Sequence, residues 1–149
     1  MQKIRRYASQ TKVPVDRTRA EIEKVLTRYG ADQFISGWER GRAMLGFRIS
    51  NRMVRFELVL PEANPRRQTQ IDQDTRARWR ALLLVIKAKL EAVASDITTL
   101  EQEFLAHIVL PGNRTVGQIL IPQIEQTYAT GQMPKLLGSG TAEGEIVEH

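Results

Sequence analysis

The chain has 149 residues, 42% of them apolar, which suits one domain built around one core. It has no cysteine, so disulfides and thiolate metal sites are excluded, and a reducing cytoplasm is the expected compartment. The net charge of +5 is unevenly spread. Residues 1–90 hold 20 basic against 9 acidic side chains, a balance of +11, and residues 91–149 hold 2 against 8, a balance of −6. Such asymmetry suggests a basic face for a polyanion.

In chain order, MQKIRRYASQTKVPV is a basic lead-in, extended around Val13–Pro14. It lacks the apolar stretch of a secretory signal. A helix is predicted from Asp16 or Thr18 to Tyr29, with Thr18 and Glu21 at capping-box spacing and Gly30 at its end. Ile22, Val25, Leu26 and Tyr29 recur at helical spacing and form its buried stripe. Three strand-like runs follow: ADQFISGWE, RAMLGFRIS and RMVRFELVL, separated by the pairs Arg40–Gly41 and Asn51–Arg52. In the second, Ala43, Leu45, Phe47 and Ile49 alternate with Arg42, Met44, Gly46 and Arg48. In the third, Val54, Phe56, Leu58 and Leu60 alternate with Met53, Arg55, Glu57 and Val59. Strict alternation predicts an antiparallel meander with one covered face and one partly open face. The first run leaves its facing open: Phe34, Ser36 and Trp38 share one side, Gln33, Ile35 and Gly37 the other.

PEANPRRQTQIDQD, residues 61–74, reads as a polar linker with two prolines and an arginine pair. A long helix then starts at Asp72 or Asp74 and runs to about Ala94. Its stripe of Trp79, Leu82, Leu83, Ile86, Leu90 and Val93 is wide enough to cover the sheet. Lys87 and Lys89 interrupt it, and no apolar run reaches the roughly 20 residues that cross a bilayer, so no membrane is expected as a partner. Ala77, Ala81, Ala88 and Ala92 on the opposite side would admit a second helix, from this chain or from another subunit of a homo-oligomer. Arg76, Arg78 and Arg80 sit in the helix's N-terminal part, where cations oppose the dipole; a phosphate or acidic residues elsewhere would compensate them.

Thr98 and Glu101 predict another capping box, and HIVLPGNRTVG an extended piece and turn. TVGQILIPQIEQTYATG reads as a last helix capped by Gly131, with Ile119, Leu120, Ile124 and Tyr128 as its buried side. Pro122 either kinks this helix or moves its start downstream. QMPKLL is expected to be an extended segment on the core, and residues 138–149 a disordered acidic tail. One α+β domain over residues 1–137 follows: N-terminal helix, three-stranded antiparallel meander, long central helix on the sheet, further C-terminal helices.

Catalytic signals are weak. His107 is the one internal histidine, too few for a multi-histidine metal site, and it reads as a partly buried structural residue. Glu101 and Glu103, two apart on a helix, diverge. Glu21–Ile22–Glu23–Lys24 resembles a nuclease element but sits on a helix without its strand partner. No phosphate-cradling glycine loop exists, and no enzyme activity, metal or cofactor is expected. The open sheet face is more suggestive, with Arg42, Arg48 and Arg55 projecting from it. If Phe34 and Trp38 point the same way, stacking rings join cations, which suits single-stranded nucleic acid. Otherwise Phe34 and Trp38 belong to the core and the arginines pair with Glu39 and Glu57.

YASQTKVPVDRTRAEIEKVLTRYGA, WRALLLVIKAKLEAV and EFLAHIVLPGNRTVGQILIPQIEQTYATGQMPKLL together resemble a family of small uncharacterised bacterial, prophage and metagenomic proteins. The resemblance covers most of residues 7–137 and implies a bacterial cell or a phage-infected host. It carries no activity. The α-β-β-β-α order is similar to the core of phage-type single-strand annealing proteins. The leading expectation is a non-enzymatic binder of single-stranded DNA or RNA, in phage or mobile-element DNA metabolism or defence. Arg42, Arg48, Arg55, Arg66, Arg67, Arg76, Arg78 and Arg80 would contact phosphate, and Phe34 and Trp38 would stack on bases. Its rivals are a protein-interaction component (an inhibitor or assembly subunit) using the basic face on an acidic protein, and a small-anion or nucleotide binder.

Overall fold

In a computed structural model, residues 2–133 are described in backbone and residues 15–133 in side chains as well. Helix α1 spans Gln2–Arg28, followed by strands β1 (Gln33–Glu39), β2 (Arg42–Ile49) and β3 (Arg52–Val59). A 3-10 turn at Pro65–Arg67 leads into α2 (Gln68–Ala94). Then come α3 (Leu100–Glu103), a second 3-10 turn, the short strands β4 (Val109–Leu110) and β5 (Arg114–Thr115), and α4 (Val116–Thr130). This is the α+β order expected.

The sheet is an antiparallel meander in the order β1-β2-β3. Both hairpins turn on two residues with positive φ, Arg40–Gly41 and Ser50–Asn51, which is the backbone twist that tight hairpins favour. The second turn therefore lies one residue before the expected Asn51–Arg52. Ala43, Leu45, Phe47, Ile49, Val54 and Phe56 are buried on the inner face. They share one core with Ile22, Val25 and Leu26 of α1 and Trp79, Leu82, Leu83, Ile86 and Leu90 of α2. Both helices thus cover one side of the sheet, as the period-2 strands and the helical stripe required.

Four expectations change. The basic lead-in is helical: α1 starts at Gln2 and carries Pro14 inside it, so Thr18 is an interior residue, buried, and not a cap. The lead-in is rich in Lys, Arg and Gln, which are good helix formers, and the proline there removes one donor without ending the helix. The 61–74 stretch is helical over most of its length: Asn64 caps the 3-10 turn by accepting from the Arg66 amide at 3.0 Å, and α2 starts at Gln68. Asp72 is then a buried member of α2, accepting from Gln68 Nε2 at 2.8 Å. The second capping box is Thr99 with Gln102, one residue along from the expected pair.

The C-terminal part docks on the free side of β3, where Val54 bridges Ile108. Phe104 stands edge-on to Phe47 and Phe56, at centroid distances of 5.9 and 6.2 Å. Helix α4 begins at its capping box, Thr115 with Gln118, runs through Pro122, and ends at Gly131 in the left-handed conformation. Only Gly117 of this helix is buried; Ile124 and Tyr128, expected inside, are 48% and 87% exposed. The apolar spacing predicts a buried stripe, but the helix leaves the body of the fold after its first turns. Gly117 explains where it is held, since a Cβ there would meet the Ala106 carbonyl oxygen at 2.8 Å. Gly117→Ala should accordingly lower stability by about 1–3 kcal/mol, read as a lower urea midpoint; an unchanged midpoint would show that α4 docking is not constrained there. Residues 134–149, including most of QMPKLL and the acidic tail, lie outside the described residues.

Candidate nucleic-acid interface

Residues that pair across strands share a face. Arg42, Met44, Arg48, Met53 and Arg55 lie together on the outer face of the sheet, as the alternation predicts. Phe34 pairs with Phe47 and Trp38 with Ala43, so both rings belong to the inner face. Phe34 packs on the core, while Trp38 overhangs the end of the sheet and is 79% exposed. Rings and arginines are therefore on opposite sides, and the stacking surface expected for Arg42, Arg48 and Arg55 with Phe34 and Trp38 does not form.

The three sheet arginines are also matched by partners. Arg42 Nη1 donates to Glu57 Oε1 at 3.3 Å. Arg48 grips Asp32 with two bonds, Nε to Oδ1 at 2.9 Å and Nη2 to Oδ2 at 2.7 Å. These bonds hold the Asp32 carboxyl below its usual range and raise the Arg48 value. Arg55 is a clamp, with its side chain only 13% exposed. Its Nη1 donates to Asn113 Oδ1 at 2.9 Å, and its Nη2 to the Asn113 carbonyl at 3.1 Å and Gln118 Oε1 at 3.3 Å. It ties the outer sheet face to the β4–β5 turn and the start of α4, and Glu57 lies 3.7 Å from its Nε. Glu57 was among the partners foreseen, but Glu39 is not one; Asp32, Asn113 and Gln118 were missed.

The arginines before and within α2 differ. Arg66 and Arg67 are exposed in the 3-10 turn, Arg78 is exposed on α2 and Arg76 partly so. Among the described residues none of these four side chains has an ion pair or a hydrogen bond, and Arg80 has only Glu21 at 3.9 Å. The α2 N-terminus has no side-chain cap and no acidic residue in its first turn. A shallow groove of about 600 Å³ lies there, lined by Pro65 and by the hydrogen-bond donors Arg66, Arg67, Gln68, Thr69, Gln70 and Gln73. From Arg66 to Arg80 the cations span about 20 Å along the axis at helical rise.

His107 stacks on Phe56, with centroids 4.0 Å apart, at the edge of a cleft that Arg55, Glu57 and Gln118 also line. Burial, first, and the Lys89 charge, second, lower its pKa, against the opposing Arg55 backbone carbonyl. With the folded value below the unfolded one near 6.5, its contribution to stability is full above that value. That contribution is lost as pH falls toward the folded pKa. Urea midpoints taken between about pH 7.5 and about pH 5.5 should drop less in His107→Gln than in the parent. Equal pH slopes would clear His107 of the effect.

No group of three or more His, Asp or Glu among the described residues is arranged to hold a metal, and no described helix is long and apolar enough to cross a membrane. Compared with protein-family models, curated proteins and solved structures, the chain matches none of them.

Proposed function

We propose that the protein binds nucleic acid without catalysis, through phosphate contacts made by Arg66, Arg67, Arg76, Arg78 and Arg80. The observation that carries this reading is the contrast between two sets of arginines. Those on the sheet are spent on Glu57, Asp32, Asn113 and Gln118, whereas Arg66, Arg67, Arg76 and Arg78 have no partner among the described residues. Guanidinium groups bind phosphate in bidentate fashion, and an uncapped helix start beside two of them favours an anion rather than the cations placed there.

Single strands are the preferred form in this reading. The cations are spread over a turn and two sides of a helix, a distribution that a flexible backbone follows more readily than a rigid duplex. The family resemblance implies only a bacterial or phage setting; phage or mobile-element DNA metabolism or defence is the role this reading adds to it. Fluorescence anisotropy with labelled single-stranded and duplex oligonucleotides over a salt series tests the proposal. Affinity should fall linearly in log–log form as salt rises. Absence of binding at low salt would remove it and leave an acidic protein as the partner of the same arginines.

A further inference from the structure

β1 is the open edge of the sheet: β2 occupies one side, and nothing among the described residues occupies the other. Natural edge strands are usually blunted by lysine, proline, a bulge or short length. QFISGWE has none of these over its seven residues, and its one charged side chain, Glu39, stands at the last position beside the turn. Toward its C-terminal end the helical layer does not roof it either, since Trp38 on the inner face is 79% exposed.

The hairpin turn fixes which backbone groups are free. A two-residue turn makes Glu39 and Arg42 a hydrogen-bonded pair, and alternation then directs Gln33, Ile35, Gly37 and Glu39 toward β2. The amides and carbonyls of Phe34, Ser36 and Trp38 point outward. We infer that this edge pairs with the same edge of a second copy, antiparallel about a twofold axis at Ser36, to make one six-stranded sheet.

The register follows from self-complementarity. Centred on Ser36, the three outward residues meet one another: Ser36 faces Ser36 of the second copy, and Phe34 faces Trp38 in each direction. Each pair exchanges two hydrogen bonds. The aromatic rings become cross-strand neighbours, a pairing that stabilises sheets. On the other face, Ile35 lies over Gly37 of the second copy, which has no side chain to obstruct it. Asp32, whose carboxylate is held by Arg48, comes opposite Arg40 of the second copy, so no like charges meet at the strand ends. Centring on Ile35 would set Trp38 against Asp32, whose amide is already donated to the Arg48 carbonyl at 3.0 Å. Centring on Gly37 would set Phe34 against Arg40, which is in the turn at φ 44°. An axis normal to the sheet places both helical layers on the same side, so two sets of α2 arginines would face one way. The inference needs no ligand and stands apart from the nucleic-acid proposal.

Sedimentation or light scattering of the full chain should give about twice the 17.0 kDa chain mass. Ser36→Pro removes a donor that the β1–β2 ladder does not use, so the protomer should keep its far-ultraviolet circular dichroism while its dimer dissociation constant rises at least tenfold. Ser36→Cys supplies a second readout in a chain with no other cysteine. The two Cα atoms would be about 5.5 Å apart, within disulfide range, so mild oxidation should yield a covalent dimer. Glu39→Cys, six strand positions out of register with itself, should stay monomeric on the same gel. A chain that is monomeric at tens of micromolar overturns the inference. So does a dimer that fails to cross-link through position 36, which would place the contact on the alanine side of α2 or on α4.

Discussion

Phe104→Ala is expected to cost about 3–5 kcal/mol, the largest loss of stability from any single truncation considered. Phe104 is fully buried and follows α3, so its ring pins the C-terminal part to the sheet. It meets Phe47 and Phe56 edge-on, and the Lys89 ammonium lies 5.8 Å from its centroid. Lys89 also donates to the Glu103 carbonyl at 3.0 Å, so the segment is held from α2 as well. Removing the ring leaves a cavity where three elements converge, and the neighbours cannot all collapse into it. For a domain whose total stability is of order 5–15 kcal/mol, the variant should be marginal. Its urea midpoint should fall steeply with little change in slope. Tyr128→Ala, on the exposed part of α4, is the control and should stay within about 0.5 kcal/mol of the parent. Similar losses in the two variants would mean that α4 is covered after all.

These two aromatics also show what a sequence makes legible. In β2 and β3, one face is buried along the whole strand, so the period of two survives in the residues and both faces can be read correctly. In α2 the stripe from Trp79 to Leu90 is legible for the same reason. β1 is an edge strand only half covered, and its alternation dissolves into Phe34 packed and Trp38 exposed on one face. Only the register settles which face that is. α4 fails in the opposite way: its apolar spacing is clear, but spacing says nothing about whether a partner is present to cover it. The alternation puts the sheet arginines on the correct face, but it does not reveal most of their partners. Asp32 is 16 residues from Arg48, and Asn113 and Gln118 are 58 and 63 from Arg55. No local pattern links such pairs; only the fold brings them together. That missing knowledge is what made Arg42, Arg48 and Arg55 look available.

The same distinction sets the second large expected effect, on binding. If Arg66, Arg67, Arg76, Arg78 and Arg80 each neutralise one phosphate, the slope of log affinity against log salt for a single strand should be about −3.5, at roughly −0.7 per contact. Arg66→Ala with Arg67→Ala should flatten it by about 1.4 and weaken binding at low salt by at least tenfold. Neither side chain has a partner among the described residues, so the fold should not register their loss. The matched comparison is Arg42→Ala with Arg48→Ala, which removes the same formal charge. There the substitutions release Glu57 and Asp32, so the local field becomes more negative while no free phosphate ligand is lost. The slope should then stay near the parent value, with at most a modest uniform loss of affinity from longer-range charge. A flattened slope in the sheet pair and an unchanged one in the Arg66/Arg67 pair would move the interface to the outer face of the sheet. Equal flattening in both would mean that the nucleic acid wraps from one face to the other, and that the ion pairs at Glu57 and Asp32 open when it binds.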